Sequence, residues 1–160
     1  MIRILVVDDF DVVRRGVISL LREQTAWQVV GEASNGLEAV EKAAELKPDV
    51  VILDANLPQL SGWEAAPLIR EAVPTCRIIF LSQHDGLYAI RQAARVGASG
   101  YVCKSDAGRE LLKGIRAVLR QEEFFTGSSR STGGQKEPDD KGQDPLSDKS
   151  EAGNIPKSAA

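Results

Sequence analysis

The chain has 160 residues, of which 42% are hydrophobic, and a formal net charge of −3. This length supports one domain with a hydrophobic core, and the slight acidic excess argues against a general nucleic-acid surface, which would need surplus basic charge. No apolar run reaches membrane-spanning length and the N-terminus lacks a signal-peptide cleavage pattern, so we expect a cytoplasmic protein with no membrane association. Cys76 and Cys103 have neither Cys-x-x-Cys spacing nor a nearby His, which favours reduced, buried thiols over a metal or redox site.

Aliphatic runs and amphipathic segments alternate along the first 125 residues. The runs predict five strands, at 2–7, 27–33, 50–53, 77–81 and 100–103. The segments between and after them predict five helices: one after Asp11, then 37–46, 62–72, 87–96 and 107–119. This alternation predicts an α/β fold, a (βα)5 doubly wound parallel sheet of five strands with helices on both faces.

Three local features add detail to these helices. Asp11 is a plausible N-cap for the first helix. Leu37, Val40 and Ala44 are expected on the apolar face of the second helix. Pro67 lies inside the third helix, where it removes a hydrogen bond, so we expect a kink or a late start there.

The composition changes after Phe124-Phe125. Residues 126–160 are rich in Gly, Ser, Pro, Lys and Asp, with no aromatic side chain. Such a segment cannot bury enough apolar surface to offset the entropy of ordering it. We therefore predict a folded domain at 1–125 and a disordered polar tail at 126–160.

Polar side chains gather where the predicted strands end. Asp8-Asp9 follow the first strand, Asp54 the third, Ser82 the fourth and Lys104 the fifth. The carboxyl ends of parallel strands share one sheet edge, so these groups should face one crevice. Clustered carboxylates repel unless a cation lies among them, and oxygen ligands with open positions suit Mg²⁺. Together with a lysine and a hydroxyl, the cluster favours phosphoryl transfer to Asp54.

These residues, in this order and spacing, resemble the CheY-like receiver domain of bacterial two-component response regulators. The match comprises Asp8-Asp9, Leu-Asp-x-x-Leu-Pro-x-x-Ser-Gly around Asp54, Ser82 and Lys104. The segment 97–105 resembles the NarL/LuxR-type subfamily, whose helix-turn-helix domain has no counterpart after residue 126. The resemblance implies a flavodoxin-like sheet with strand order 2-1-3-4-5.

The resemblance also implies a metal site and a phosphoacceptor. Asp54 would accept a phosphoryl group from a phosphohistidine of a sensor histidine kinase or phosphotransfer protein. Asp9 and Asp54 would bind Mg²⁺ through their carboxylates, Asn56 through its backbone carbonyl, and Asp8 through water.

The remaining matched residues imply a switch. Lys104 would pair with a phosphoryl oxygen, Ser82 would move toward the phosphoryl group, and Tyr101 would swing inward into the vacated space. The face formed by helix 4, strand 5 and helix 5 would then change its affinity for an unknown downstream protein. The resemblance also allows a phosphorylation-dependent dimer.

We therefore expect a single-domain response regulator that is a switch rather than an enzyme and does not bind DNA directly. A transcriptional regulator shortened before its DNA-binding domain stays open as an alternative. An aspartyl-nucleophile phosphatase of the haloacid dehalogenase type is disfavoured because Asp54-Ala55-Asn56 lacks that family's second acid. A flavodoxin-like electron carrier is disfavoured because Asp8-Asp9 would repel a phosphate.

Each site residue also has a plainer interpretation. Asp8-Asp9 could cap a helix, Ser82 could be a turn residue, and Lys104 could be an ordinary solvated lysine. Tyr101 could be an aromatic side chain packed on an edge strand. The joint occurrence at strand ends favours the site.

Overall fold

The structure, a computed structural model, describes residues 1–126 and has strands and helices that alternate as predicted. Its elements are β1 Ile2–Val7, α1 Asp11–Arg22, β2 Trp27–Ala33, α2 Gly36–Leu46, β3 Val50–Leu53, α3 Gly62–Ala72, β4 Arg77–Ser82, α4 Leu87–Arg95, β5 Gly100–Cys103, α5 Ala107–Leu119 and β6 Phe124–Phe125. A single 3₁₀ turn, Lys104–Asp106, joins β5 to α5. Within this part of the chain, no helix is long and apolar enough to cross a bilayer.

All strands are parallel and form one sheet in the order β2-β1-β3-β4-β5-β6. The predicted order 2-1-3-4-5 is confirmed, and β6 extends the sheet by one strand that the sequence analysis did not predict. A two-residue strand is too short to show a hydrophobic period. Because β6 pairs with β5, the fifth strand is not at the edge of the sheet.

The sheet separates two hydrophobic clusters. Successive side chains of a strand point to opposite faces, so β1 supplies Leu5 and Val7 to one cluster and Ile4 and Val6 to the other. Helices cover both faces, which is why β3 is buried along its whole length and reads as an unbroken aliphatic run. This arrangement leaves the carboxyl ends of β1, β3, β4 and β5 at one edge.

The helix start predicted for α1 is wrong, whereas that of α3 is confirmed. Asp11 is the first residue of α1 and not its N-cap; the cap is Phe10, and no side chain caps the helix. The helix α3 begins at Gly62, where Ser61 and Glu64 form a reciprocal capping box, so of the kink or late start expected from Pro67 the late start does not occur. Pro67 lies inside the continuous helix at an exposed position.

The predicted apolar face of α2 is only partly right, because Val40 packs against a hydrophobic cluster but Leu37 and Ala44 are exposed. Ala39 and Ala43 are fully buried instead, whereas the Leu37 side chain is 50% exposed. Small residues let α2 approach the chain before α3 closely: a Cβ on Gly36 would lie 1.9 Å from the backbone oxygen of Leu60. The buried face of α2 is therefore determined by how closely the helix approaches the chain before α3, and not by which of its side chains are largest.

The predicted tail at 126–160 lies outside the described residues except for Thr126. The N–H of Thr126 donates to the backbone carbonyl of Tyr101 at 2.8 Å.

Candidate functional site

Three carboxylates meet at the carboxyl edge of the sheet, as predicted. Asp8 follows β1 and Asp54 follows β3; Asp8, Asp9 and Asp54 each offer one oxygen, all within 4.8 Å of one another. The sheet ladder continues into both buried acids, since Asp54 N–H donates to the Val7 carbonyl and Asp8 N–H to the Ala33 carbonyl, each at 3.1 Å. The cluster is therefore fixed by backbone pairing and not only by its side chains.

Lys104 brings a cation into this cluster from the residue after β5. Its Nζ lies 2.8 Å from Asp8 Oδ2 and 3.2 Å from Asp54 Oδ2. Burial acts to lower the pKa of Lys104, but the combined attraction of Asp8 and Asp54 raises that pKa above its ordinary value. Lys104 thus stays charged and in direct contact with the predicted acceptor.

Asp54 is only 4% exposed. Its Oδ1 accepts a hydrogen bond from the N–H of Asn56 at 3.3 Å, and Oδ2 faces Lys104. Burial raises the pKa of the Asp54 carboxyl, and the attraction of Lys104 only partly opposes this effect. The positive charge of Lys104 therefore does not fully compensate the Asp54 carboxylate, and a second cation would stabilise its ionised form.

The donor set fits a hard divalent cation. Asp8 is 2% exposed, and its Oδ2 forms an ion pair with Lys104 Nζ at 2.8 Å but accepts no further hydrogen bond from the described residues. A buried carboxylate oxygen with an unused lone pair normally has a partner. Asp9, exposed at the mouth of the cluster, and Asp54 supply further oxygens of the kind that Mg²⁺ prefers.

Ser82 and Tyr101 meet at the loop between β4 and α4. Ser82 is fully buried, and its Oγ accepts a hydrogen bond from His84 N–H at 3.4 Å. The Tyr101 side chain is fully buried, and its hydroxyl donates to the His84 carbonyl. Burial raises the pKa of the Tyr101 hydroxyl, which remains a neutral donor. Both predicted switch residues therefore hold the same loop, and no hydrogen bond joins Ser82 to Asp54 among residues 1–126.

The rim of the site includes contacts that the sequence analysis did not identify. Asn56 Nδ2 lies 3.0 Å from His84 Nε2, which links the loop after β3 to the loop after β4. The Phe10 ring lies 5.7 Å from Lys104 Nζ, within range of a cation–π contact. Neither contact has a sequence signal, because each depends on the course of the loops that follow the strands.

Gly62 fixes the approach of α3 to the acceptor. Its N–H donates to the Ala55 carbonyl at 2.8 Å. A Cβ at this position would lie 2.0 Å from the backbone oxygen of Asp54, so no larger residue fits without moving the chain. The Ser-Gly pair in the motif around Asp54 thus combines a helix cap with a close backbone contact.

Comparison with known proteins agrees with this geometry. The family model for the response regulator receiver domain matches residues 4–116. The transcriptional regulatory protein LnrK of Bacillus subtilis is 37% identical over 118 residues, which are 74% of this chain and 54% of that protein. The response regulator GacA of Pseudomonas viridiflava is 35% identical over 126 residues, 79% of this chain and 59% of GacA. The chain thus spans less than two thirds of the length of these relatives.

Solved structures give the same result. A two-component response regulator of the LuxR family from Aurantimonas sp. SI85-9A1 is 37% identical with a TM-score of 0.73, covering 76% of this chain and 87% of that one. The response regulator domain of Thermotoga maritima CheB is 37% identical with a TM-score of 0.70, covering 75% of this chain and 97% of that one. The chain therefore belongs to the family of two-component response regulator receiver domains.

Proposed function

We propose that this protein accepts a phosphoryl group on Asp54 and uses it to switch a protein-binding face. The observation that carries the proposal is the contact of Lys104 with both buried acids, 3.2 Å from Asp54 and 2.8 Å from Asp8. A carboxylate beside a fixed cation, in a mostly water-excluded cluster, can act as a nucleophile toward phosphorus.

In the proposed step, an Asp54 oxygen forms a bond to the phosphorus of the donor. The bond between phosphorus and the donor atom, the histidine nitrogen of a sensor kinase or phosphotransfer protein, breaks, and the donor keeps that electron pair. The Lys104 ammonium neutralises charge on the phosphoryl oxygens as they approach. The Asn56 N–H, 3.3 Å from Asp54 Oδ1, orients the carboxylate.

Mg²⁺ would be held by Asp9 and Asp54 carboxylates and the Asn56 backbone carbonyl, with Asp8 acting through water. When bound, it would supply positive charge against the three acids and the incoming phosphoryl group. The buried Asp8 Oδ2 supports this assignment, because beyond its ion pair with Lys104 it receives no hydrogen bond from the described residues and can take a further donor or cation.

The switch would run through the loop between β4 and α4. Ser82 Oγ and the Tyr101 hydroxyl hold the N–H and the carbonyl of His84 respectively, so a movement of Ser82 toward a phosphoryl group would change the support of Tyr101. Leu87 and Tyr88, both exposed on the first turn of α4, lie just beyond this loop. They support an output face formed by α4, β5 and α5 that binds a downstream protein or, after phosphorylation, a second copy.

We further propose a cytoplasmic switch with no turnover of a separate substrate. Two cysteines without a disulfide agree with a reducing compartment. Residues 1–126 carry 15 Lys/Arg and 17 Asp/Glu, so we expect no direct DNA binding by this part of the chain.

A second candidate is the receiver part of a transcriptional regulator. It is favoured by the name of LnrK and by the 54% of LnrK that this chain spans. A sequence-specific complex in gel-shift experiments with residues 1–160 would support this second candidate, and we expect none for the first.

The first proposal is tested by incubation with Mg²⁺ and acetyl phosphate, followed by intact mass. We expect one added phosphoryl group on the wild type, none on Asp54→Asn, and none on either protein in EDTA. Asp85→Asn is the matched control, because Asp85 is an exposed acid in the neighbouring loop, and it should be phosphorylated normally. A folded wild type that gains no mass, or an Asp54→Asn variant that gains as much as the wild type, would contradict the proposal.

A further inference from the structure

The Arg14 side chain joins three parts of the chain beside the acid cluster. It is 15% exposed, although it belongs to a surface helix. Its Nη1 donates to the backbone carbonyl of Asp8 at 2.7 Å, and its Nε donates to Glu32 Oε1 at 2.8 Å. Its Nη2 contacts Asp11 Oδ1 at 2.6 Å. One guanidinium thereby connects the residue after β1 to α1 and to β2.

The carbonyl held by Arg14 belongs to the peptide unit between Asp8 and Asp9. That unit is planar, so fixing its oxygen also fixes the direction in which the chain enters Asp9. The other side of Asp8 is fixed as well, by the hydrogen bond of its N–H to Ala33. No hydrogen bond or ion pair from residues 1–126 reaches the Asp9 carboxylate, so its direction depends on this backbone.

We infer that Arg14 is a positioning residue for the metal site: it holds the Asp8–Asp9 peptide so that Asp9 faces Asp54. The inference rests on the proposed function, because it assigns Arg14 to the Mg²⁺ site described there. Groups that orient metal ligands without touching the metal typically contribute about 10- to 100-fold to metal affinity. The guanidinium group suits this role, because its planar set of N–H donors can bond a carbonyl and two carboxylates at the same time.

The positive charge of Arg14 has the opposite effect on Mg²⁺ affinity. A positioning role can therefore be distinguished from an electrostatic one. A cation next to three carboxylates repels Mg²⁺, so loss of its charge alone would tighten Mg²⁺ binding. Loss of the hydrogen bond to the Asp8 carbonyl would weaken it. The sign of the change therefore identifies the role.

The test is Mg²⁺ titration by calorimetry of the wild type, Arg14→Met and Arg15→Met, without a phosphodonor. Arg15 is the matched control: it is the next residue, 78% exposed, and its ion pair is with Asp11. Both substitutions remove one positive charge and keep an unbranched side chain. We expect the Mg²⁺ Kd to rise about tenfold for Arg14→Met and to change less than about twofold for Arg15→Met.

Phosphorylation provides a second readout. For Arg14→Met, the Mg²⁺ concentration that gives half the maximal rate with acetyl phosphate should rise, whereas the rate at saturating Mg²⁺ should stay close to that of the wild type. A merely structural role would lower the unfolding temperature and leave the Mg²⁺ dependence of the folded protein unchanged.

Arg14→Lys keeps the inference testable if Arg14→Met does not fold. This variant retains the positive charge and loses the planar set of donors that bonds the Asp8 carbonyl and Glu32 together, so electrostatics alone predicts no change and we expect a several-fold higher Mg²⁺ Kd. Unchanged or tighter Mg²⁺ binding by folded Arg14→Met, or by Arg14→Lys in its place, would overturn the inference while leaving the proposed function intact. A wild type that binds no Mg²⁺ would instead overturn the metal site itself.

Discussion

The buried position of the Asp54 carboxyl is electrostatically unfavourable for its ionised form. It is nearly buried, and its pKa is raised because burial disfavours the charged form more than Lys104 stabilises it. A group whose pKa is higher in the folded than in the unfolded protein stabilises the fold at low pH and loses that contribution as pH rises. At neutral pH, in the absence of Mg²⁺, ionised Asp54 therefore destabilises the fold.

Asp54→Asn should consequently be more stable than the wild type at neutral pH without Mg²⁺. The amide keeps the shape of the side chain and removes the charge. The advantage should shrink as pH falls through the raised pKa, and it should vanish below 3.8, the ordinary value for the group. Thermal unfolding in EDTA at several pH values measures it, and a less stable Asp54→Asn at neutral pH would contradict it.

The site residues were predictable where the sequence itself indicates the end of a strand. Asp8, Asp54 and Lys104 follow aliphatic runs, and parallel pairing then brings them together. The role of Arg14 was not predictable, because its contact with Glu32, 18 residues further along the chain, depends on how α1 packs beside β2. The contact between Asn56 and His84 likewise depends on the course of two separate loops.

The helix α3 shows how an element determines the position of the acceptor. Its first residue, Gly62, contacts the chain directly after β3, and a Cβ there would lie 2.0 Å from the Asp54 carbonyl oxygen. That oxygen is backbone and cannot rotate away, so either α3 or the Asp54 loop must move.

Gly62→Ala should therefore destabilise the protein by about 1–3 kcal/mol and slow phosphorylation by acetyl phosphate. Gly16→Ala is the matched control, since nothing lies within 4 Å of a Cβ at that position in α1. It should stabilise the protein by about 0.5–1 kcal/mol, because alanine is the better helix former. Urea unfolding and intact mass measure both effects; equal stability of the two variants would refute the close contact.

The boundaries of helices and strands were predictable where hydrophobic periodicity and capping residues agree. They were not predictable where tertiary packing determines them. The strands and most helices begin and end within a residue or two of the predicted positions. The buried face of α2 was not predictable, because Gly36, Ala39 and Ala43 are selected by the nearness of the chain before α3 and not by hydrophobicity. The strand β6 depends on packing too: Phe124 lies against Gly114 of α5, where a Cβ would come within 2.8 Å of the ring.

For the molecule as a whole, the acid cluster is a local feature of a nearly neutral protein. The net charge of the chain is only −3, so general attraction of divalent cations is weak. Among residues 1–126, we expect any marked effect of Mg²⁺ on stability to arise where Asp8, Asp9 and Asp54 lie within 4.8 Å of one another. Binding at that cluster requires the folded sheet, because β1 and β3 bring the three acids together.

Mg²⁺ should accordingly raise the free energy of unfolding of the wild type. A ligand that binds only the native state contributes about 2.7 kcal/mol at a concentration 100 times its Kd. Thermal unfolding should show a rise in Tm that increases with the logarithm of Mg²⁺ concentration, and most of it should disappear in Asp54→Asn. NaCl at matched ionic strength controls for screening. An equal rise with NaCl, or an undiminished rise in Asp54→Asn, would mean that the cation stabilises the protein elsewhere.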